Sequence, residues 1–98
     1  MLHIVNKSPY ERNTLDAVLR IAQSGSLLLI EDGVYAATRG SAAEAKLTAA
    51  MARLKVYALL PDLEARAIAD RVIPGVTPID YGGFVELVAA NRNCQSWL

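Results

Sequence analysis

The chain has 98 residues, a length typical of one domain, and we expect residues 1–98 to fold as a single unit. Ten basic and ten acidic residues give a formal net charge of zero, which argues against the basic surface of a nucleic-acid-binding protein. The apolar fraction of 53% is high for so small a domain. It fits either an alanine-rich helical composition or a surface that a partner covers.

The sequence also lacks the patterns of membrane and secreted proteins. No apolar run is long enough for a membrane span, and the opening MLHIVNKSPY does not have the pattern of a signal peptide. Cys94 is the only cysteine, so no disulfide can form within the chain, which fits a reducing compartment. We therefore expect a cytoplasmic protein that does not contact a membrane.

The first third of the chain predicts a strand, a helix and a second strand. Leu2–Val5 is a short strand candidate with β-branched residues. A helix is predicted to begin at Asn13 or Thr14, both good N-caps, and to end before Ser24-Gly25. Leu27–Ile30 is a continuous apolar run, typical of a strand that is buried on both faces of a parallel sheet. The apolar residues of the helix share one face: Leu15, Val18, Leu19 and Ala22.

The middle of the chain predicts a helical turn, a helix and a third strand. Val34–Thr38 is interpreted as a helical turn. Ser41 and Glu44 fit the S-x-x-E capping box, which predicts that the next helix begins at Ser41. Lys55–Leu60 is the third strand candidate. The apolar residues of the helix follow helical spacing: Ala43, Leu47, Ala50, Met51 and Leu54.

The last third predicts two helices and two short strands. A helix capped by Asp62 should run through Ala69, and a brief strand should follow at Val76–Ile79. That strand belongs at an edge of the sheet because Pro78 cannot donate a hydrogen bond to a neighbour. Asp80 should cap the last helix, and Gln95–Leu98 is either a final edge strand or a docked tail. The last helix carries apolar residues on one face: Tyr81, Phe84, Val85 and Val88.

The alternation of strands and helices predicts a three-layer α/β/α fold with a mostly parallel sheet of four to five strands. In such sheets, ligands and reactive groups gather beyond the carboxyl ends of the strands. Three loops follow predicted strands and should share that edge: Asn6–Asn13, Glu31–Gly33 and Pro61–Asp62.

The candidate chemistry at this edge is sparse. Glu31 and Asp32 are adjacent, so on an extended strand they would point to opposite faces, and such a pair more often solvates a strand end or precedes a helix. His3, the only histidine, lies inside a predicted strand and is interpreted as a core or sheet-face residue. One histidine and one cysteine cannot form a tetrahedral zinc site, so we expect no metal. No glycine-rich phosphate loop is present, so we expect no nucleotide cofactor.

Cys94 and Trp97 are the remaining candidates for function. Cys94 follows the last helix, whose negative end stabilises a thiolate poorly, so it is a weak candidate for a catalytic residue. Trp97 needs a hydrophobic site, either on its own domain or on a neighbouring subunit. With Glu31, Asp32, Gly33 and Tyr35, it makes up the predicted interface at the sheet edge. The basic residues of the second half are scattered, as on solvated helix faces: Arg53, Lys55, Arg66 and Arg71.

Several stretches, taken in order and at their spacing, resemble the TusB/DsrH family over nearly the whole chain. The motifs are LH and SP near the start, EDGV, DL.AR, IDY..FV and a final tryptophan. The stretches that carry them are LHIVNKSPYERN, LLLIEDGVYAA, KVYALLPDLEARA, VIPGVTPIDYGGFVELV and QSWL.

The resemblance implies a small DsrE/F/H-like α/β subunit of a sulfur-relay complex. Its partners would be two paralogous subunits, one TusC/DsrF-like and one TusD/DsrE-like, assembled as a dimer of heterotrimers. The complex would hand persulfide sulfur to a carrier protein of the TusE/DsrC type, without a cofactor and without direct contact to nucleic acid. The sulfur would serve either 2-thiouridine synthesis at tRNA wobble positions or cytoplasmic dissimilatory sulfur oxidation.

In this family the main sulfur-carrying cysteine belongs to the larger sister subunit. The resemblance therefore implies a non-catalytic subunit that is not an enzyme on its own, with direct sulfur transfer through Cys94 as the alternative. A self-associating protein that binds a small anion at the strand ends is a third alternative, which no motif favours. The sequence departs from the family pattern twice. The first helix, TLDAVLRIAQ, lacks the cysteine of some members, and Ala67 stands where glycine is common.

Overall fold

The computed structural model describes residues 1–97 and contains five strands and four α-helices over that range. No helix in this range is both long and apolar enough to cross a bilayer. Two 3₁₀ segments, Glu31–Ala37 and Ala69–Arg71, lie between the regular elements. The elements in chain order are β1 (Leu2–Val5), α1 (Thr14–Ile21), β2 (Gly25–Leu29), α2 (Glu44–Ala50), β3 (Leu54–Leu59), α3 (Leu60–Ala65), β4 (Thr77–Ile79), α4 (Tyr81–Ala90) and β5 (Cys94–Trp97).

The strands form one sheet in the order β4-β3-β2-β1-β5, and every pairing is parallel. β2 is the central strand, as the apolar run at Leu27–Ile30 predicts, although the strand begins earlier, at Gly25. β4 lies at one edge, as Pro78 predicts. β5 lies at the other edge, so the end of the chain forms a strand; Leu98, the last residue of the predicted segment, lies outside the described residues.

Alternating side chains of the sheet lie on two faces, and both faces are covered. Leu27, Leu29 and Val56 contribute to the main core, on the face where α1, α2 and α3 pack. Leu2 and Leu28 are fully buried but stand outside that cluster, on the opposite face. There α4 lies over the sheet, with Leu87 and Gly83 beside Tyr57 and Ile79. The α/β fold predicted from the sequence is therefore confirmed, and its helices lie on both faces.

The helix predicted from Ser41 is shorter at both ends than its periodicity indicates. Glu44 accepts a hydrogen bond from the Gly40 N–H at 2.6 Å, so the capping carboxylate serves the residue before Ser41. α2 therefore begins at Glu44, after Ala43. The inclusion of Leu54 in this helix is wrong, because Leu54 begins β3 and pairs with Gly25 of the central strand. Sheet pairing overrides the helical spacing at this point.

The third helix also begins earlier than predicted. α3 begins at Leu60, and Pro61 lies in its first turn, where a missing N–H costs nothing. The prediction that Asp62 caps this helix is wrong, since its carboxylate accepts a hydrogen bond from Glu31 instead. The helix ends at Ala65 rather than Ala69 because the chain turns at Ala67, which has a φ of 57°.

Two other local predictions have clear outcomes. The helical turn expected at Val34–Thr38 is a longer 3₁₀ segment, Glu31–Ala37, that already includes the two carboxylates. Asp80 caps α4 as predicted, accepting a hydrogen bond from the Gly83 N–H at 2.7 Å.

The left-handed backbone at Ala67 predicts a simple stabilising change. A side chain in this conformation costs about 1–2 kcal/mol, and glycine removes that cost while adding a smaller entropy cost. Ala67→Gly should therefore raise the free energy of unfolding in urea by about 0.5–1 kcal/mol. As a control, Ala65→Gly at the right-handed end of α3 should lower it by about 0.5–1 kcal/mol. Equal destabilisation by both changes would contradict this account.

Candidate functional site

The carboxyl ends of β1, β2 and β3 meet at one edge of the sheet, which we call the carboxyl edge. Ile30 donates a backbone hydrogen bond to Val5 O at 3.0 Å, joining the ends of β2 and β1. The Glu31 N–H donates to Asp62 Oδ2 at 2.6 Å, joining the loop after β2 to the start of α3. The sequence prediction that these loops share an edge is confirmed.

The backbone at this edge is unusually constrained at two positions. A Cβ on Gly33 would lie 2.3 Å from Val5 O, so only glycine lets the 3₁₀ segment approach β1 this closely. Glu31 adopts a φ of 50°, a left-handed conformation that a non-glycine residue rarely takes. The hydrogen bond to Asp62 helps to offset that strain.

Arg66 links the two acidic segments of the edge. Its Nε and Nη2 donate to Asp32 Oδ1 at 3.0 and 2.8 Å, and its Nη1 donates to Asp62 O at 3.2 Å. The guanidinium also lies 5.8 Å from the centre of the Tyr35 ring. The hydrogen bonds to Asp32 raise the pKa of Arg66 against the opposing effect of burial.

This geometry favours a structural role for the carboxylates. Asp32 is engaged by Arg66, while Glu31 is held through its backbone N–H and not through its side chain. A general acid and base pair needs two carboxyl groups whose environments separate their pKa values. Asp32 is instead paired with the guanidinium of Arg66, and the side chain of Glu31 makes no hydrogen bond to it. The sequence reading of Arg66 as one of several scattered cations missed this contact. The i, i+4 spacing of Asp62 and Arg66 indicated only the weaker pair between those two residues, whose charged atoms are 3.9 Å apart.

Cys94 lies far from the carboxyl edge. It is the first residue of β5 and pairs with Leu2, the first residue of β1, so it occupies the amino end of the sheet. Its thiol is free and exposed. A strand of this length separates it from the opposite edge by about 10 Å. The structure thus does not bring Cys94 together with Glu31 and Asp32.

Trp97 packs against residues of its own chain. It is half-buried, packs against the main core and lies beside Val5 at the carboxyl end of β5. Its indole Nε1 donates a hydrogen bond to His3 Nδ1 at 3.2 Å, and the two ring centres are 6.1 Å apart. His3 is buried, in agreement with its interpretation as a sheet residue.

The last helix carries an exposed apolar surface that the sequence reasoning did not identify as a candidate site. Tyr81, Val85 and Val88 are 61%, 68% and 39% exposed. Together with Phe84 and Ala89 they line a groove of about 390 Å³, which we call the outer α4 surface. The predicted apolar face of this helix therefore points away from the sheet. The available signal was that α4 is apolar on nearly all sides, as in helices covered from both directions.

Comparison with known proteins shows relatives along almost the whole chain. Residues 7–94 match the model of the family described as DsrH like protein. A protein named TusB from Erwinia tasmaniensis is 39% identical over 99 residues, covering 99% of this chain and 100% of the relative. A TusB protein from Escherichia coli O1:K1 / APEC is also 39% identical, over 98 residues and with the same coverage.

The fold has a close counterpart among solved structures. The crystal structure of the ychN protein from E. coli superposes with a TM-score of 0.82 and covers 98% of this chain and 97% of that chain, at 21% sequence identity. That likeness concerns the fold, whereas the sequence matches establish kinship. The resemblance drawn from the motifs is confirmed: the chain belongs to the TusB/DsrH family.

Proposed function

We propose that this chain is a non-catalytic subunit of a cytoplasmic sulfur-relay complex. Its partners would be two paralogous subunits, one TusC/DsrF-like and one TusD/DsrE-like, in a dimer of heterotrimers that passes persulfide sulfur to a carrier of the TusE/DsrC type. The observation that carries the proposal is the outer α4 surface, on a chain whose family membership comes from full-length matches.

The outer α4 surface has the composition of a subunit contact. Tyr81 and Phe84 are aromatic, and aromatic residues are enriched at the centres of protein interfaces. The residues that line the groove are all uncharged, so a partner can cover them without leaving a buried charge unpaired. A contiguous exposed apolar patch on a small protein commonly marks such a contact.

The contacts at the carboxyl edge favour a structural role for its residues over a catalytic one. Asp32, Arg66 and Asp62 tie the 3₁₀ segment to α3, which fixes the shape of the edge. In this proposal the edge presents a rigid surface to a sister subunit, and the persulfide is carried by that sister. The name TusB among the relatives favours the tRNA branch over sulfur oxidation. Affinity purification from the native cell, with identification of the co-purified enzymes, separates the two branches.

Assembly is the first test of the proposal. Co-expressed with its two paralogues, the chain should elute in size-exclusion chromatography as one larger species. Val85→Glu places a charge on the outer α4 surface, where burial of an unpaired charge should weaken assembly at least tenfold. Ala49→Glu, on the exposed side of α2, serves as a matched control and should leave the complex intact. A wild-type chain that stays monomeric beside its paralogues would overturn the proposal, and an intact complex with Val85→Glu would exclude the outer α4 surface.

The ion pair at the carboxyl edge makes a second prediction. Because Asp32 is 52% exposed and Arg66 is 21% exposed, solvent screens the pair. A double-mutant cycle of Asp32→Ala and Arg66→Met should give a coupling of about 0.5–1 kcal/mol in urea unfolding. Asp32→Ala should reduce stability or assembly before it affects sulfur transfer. Asp70→Ala, a change at a highly exposed carboxylate, is the control and should be neutral. Selective loss of transfer in an intact Asp32→Ala complex would contradict a structural role.

The alternative function, direct sulfur transport by Cys94, is tested separately. Cys94 begins β5 at the amino end of the sheet, opposite the carboxyl edge that holds Glu31 and Asp32. We therefore expect Cys94→Ser to leave the rate of sulfur relay by the assembled complex unchanged. Mass spectrometry of the wild-type chain after exposure to a persulfide donor should show no added sulfur on Cys94. A Cys94 persulfide together with lost relay in the variant would favour the alternative.

A further inference from the structure

We propose that His3 and Trp97 form an acid-sensitive latch, a hydrogen bond that holds β5 on the sheet while His3 is neutral and releases it when His3 is protonated. The latch is separate from the assembly function proposed above. It concerns the described contact between the first and last strands of the chain.

The chemistry of the two rings makes the hydrogen bond conditional on proton binding. The indole of Trp97 can only donate, so His3 Nδ1 must present a lone pair and the imidazole proton must reside on Nε2. Protonation places a hydrogen on both imidazole nitrogens. Two N–H donors would then face each other, and the hydrogen bond at 3.2 Å would be lost.

β5 depends on this contact because the rest of the strand is weakly anchored. It is a short edge strand that pairs with β1 alone. Cys94, Gln95 and Ser96 are exposed and bury little apolar surface. Trp97 is the residue of the strand that packs against the main core. Short edge elements with few buried contacts open locally before the whole protein unfolds.

The surroundings of His3 keep the latch closed at neutral pH. In register, His3 lies between Leu27 of β2 and Gln95 of β5, which carry no charge. Among the described residues, the amino group of Met1 acts on His3 electrostatically. α1, which packs on β1, carries Asp16 and Arg20. Asp16 is paired with Lys46 at 2.6 Å.

Burial, and secondarily the Met1 amino group, lower the pKa of His3 below its ordinary value of 6.5. The unfolded or undocked chain therefore binds the proton more readily than the docked state. By linkage, docking of β5 is fully favoured above pH 6.5 and weakens as the pH falls from 6.5 through the lower pKa of the docked state.

The full-length chain permits a direct test by nuclear magnetic resonance, because it contains one histidine and one tryptophan. In a pH titration, the Trp97 indole N–H signal should shift with the same midpoint as the His3 imidazole signals, and below pH 6.5. The backbone amide protons of Gln95 and Trp97, which point toward β1 in the parallel ladder, should exchange about fivefold faster or more, after correction for intrinsic rates, once His3 is charged. The Leu28 amide in the central strand should keep its protection.

Two substitutions sharpen the assignment. His3→Asn keeps an acceptor oxygen near the position of Nδ1 but does not titrate, so the Trp97 transition should disappear while β5 stays docked. Trp97→Phe keeps an aromatic ring but lacks the donor. The protected β5 amides should then exchange faster than in the wild-type chain at neutral pH. Their rates, after correction for intrinsic exchange, should not change as His3 titrates. The wild-type titration decides the question even if either variant fails to fold. The local latch would be overturned if the Trp97 indole signal did not change as His3 titrates. It would also be overturned if the Leu28 amide lost its protection from exchange at the same midpoint. Survival of the transition in a folded His3→Asn variant would do the same.

Discussion

The complete burial of the central strand on both faces is the constraint on which the rest of the structure depends. Three consecutive residues of β2, Leu27, Leu28 and Leu29, are fully buried, so a layer must pack on each face of this strand. On one face this layer consists of α1, α2 and α3, and on the other face it is α4. Once β2 is central and all strands are parallel, the loops after β1, β2 and β3 must meet at one edge. The contacts of Glu31, Asp32 and Gly33 follow from that placement.

The elements that could be predicted are those with local signals. The apolar run of β2, the proline of β4 and the cap at Asp80 each act within a few residues, and each prediction is confirmed. The errors arise where a distant partner decides. Leu54 fits a helix by spacing, yet its pairing with Gly25 makes it the first residue of a strand. Asp62 is well placed as a cap by local rules but accepts a hydrogen bond from a residue 31 positions away.

The candidate site divides in the same way. The order of the elements predicts that Glu31–Gly33 lies at the carboxyl edge. The contact between Asp32 and Arg66 could not be predicted, because the two residues are 34 positions apart and no local pattern joins them. For α4, the helical period identified an apolar face but could not say which side of an almost wholly apolar helix meets the sheet. The side with Gly83 and Leu87 does so, and Gly83 allows the close approach because a Cβ there would already lie 3.0 Å from Ile79 Cβ. Tyr81, Val85 and Val88 are left outside.

This outward orientation of α4 has a consequence for the life of the protein in the cell. A copy that has just been synthesised exposes Tyr81, Val85 and Val88 to the crowded solution. Chaperones and proteases recognise exposed apolar surface of this kind, and transiently uncovered copies are degraded or aggregate. In the proposed assembly, a sister subunit would cover this helix. Copies made in excess of that subunit would keep the apolar surface exposed, which favours their removal by proteases.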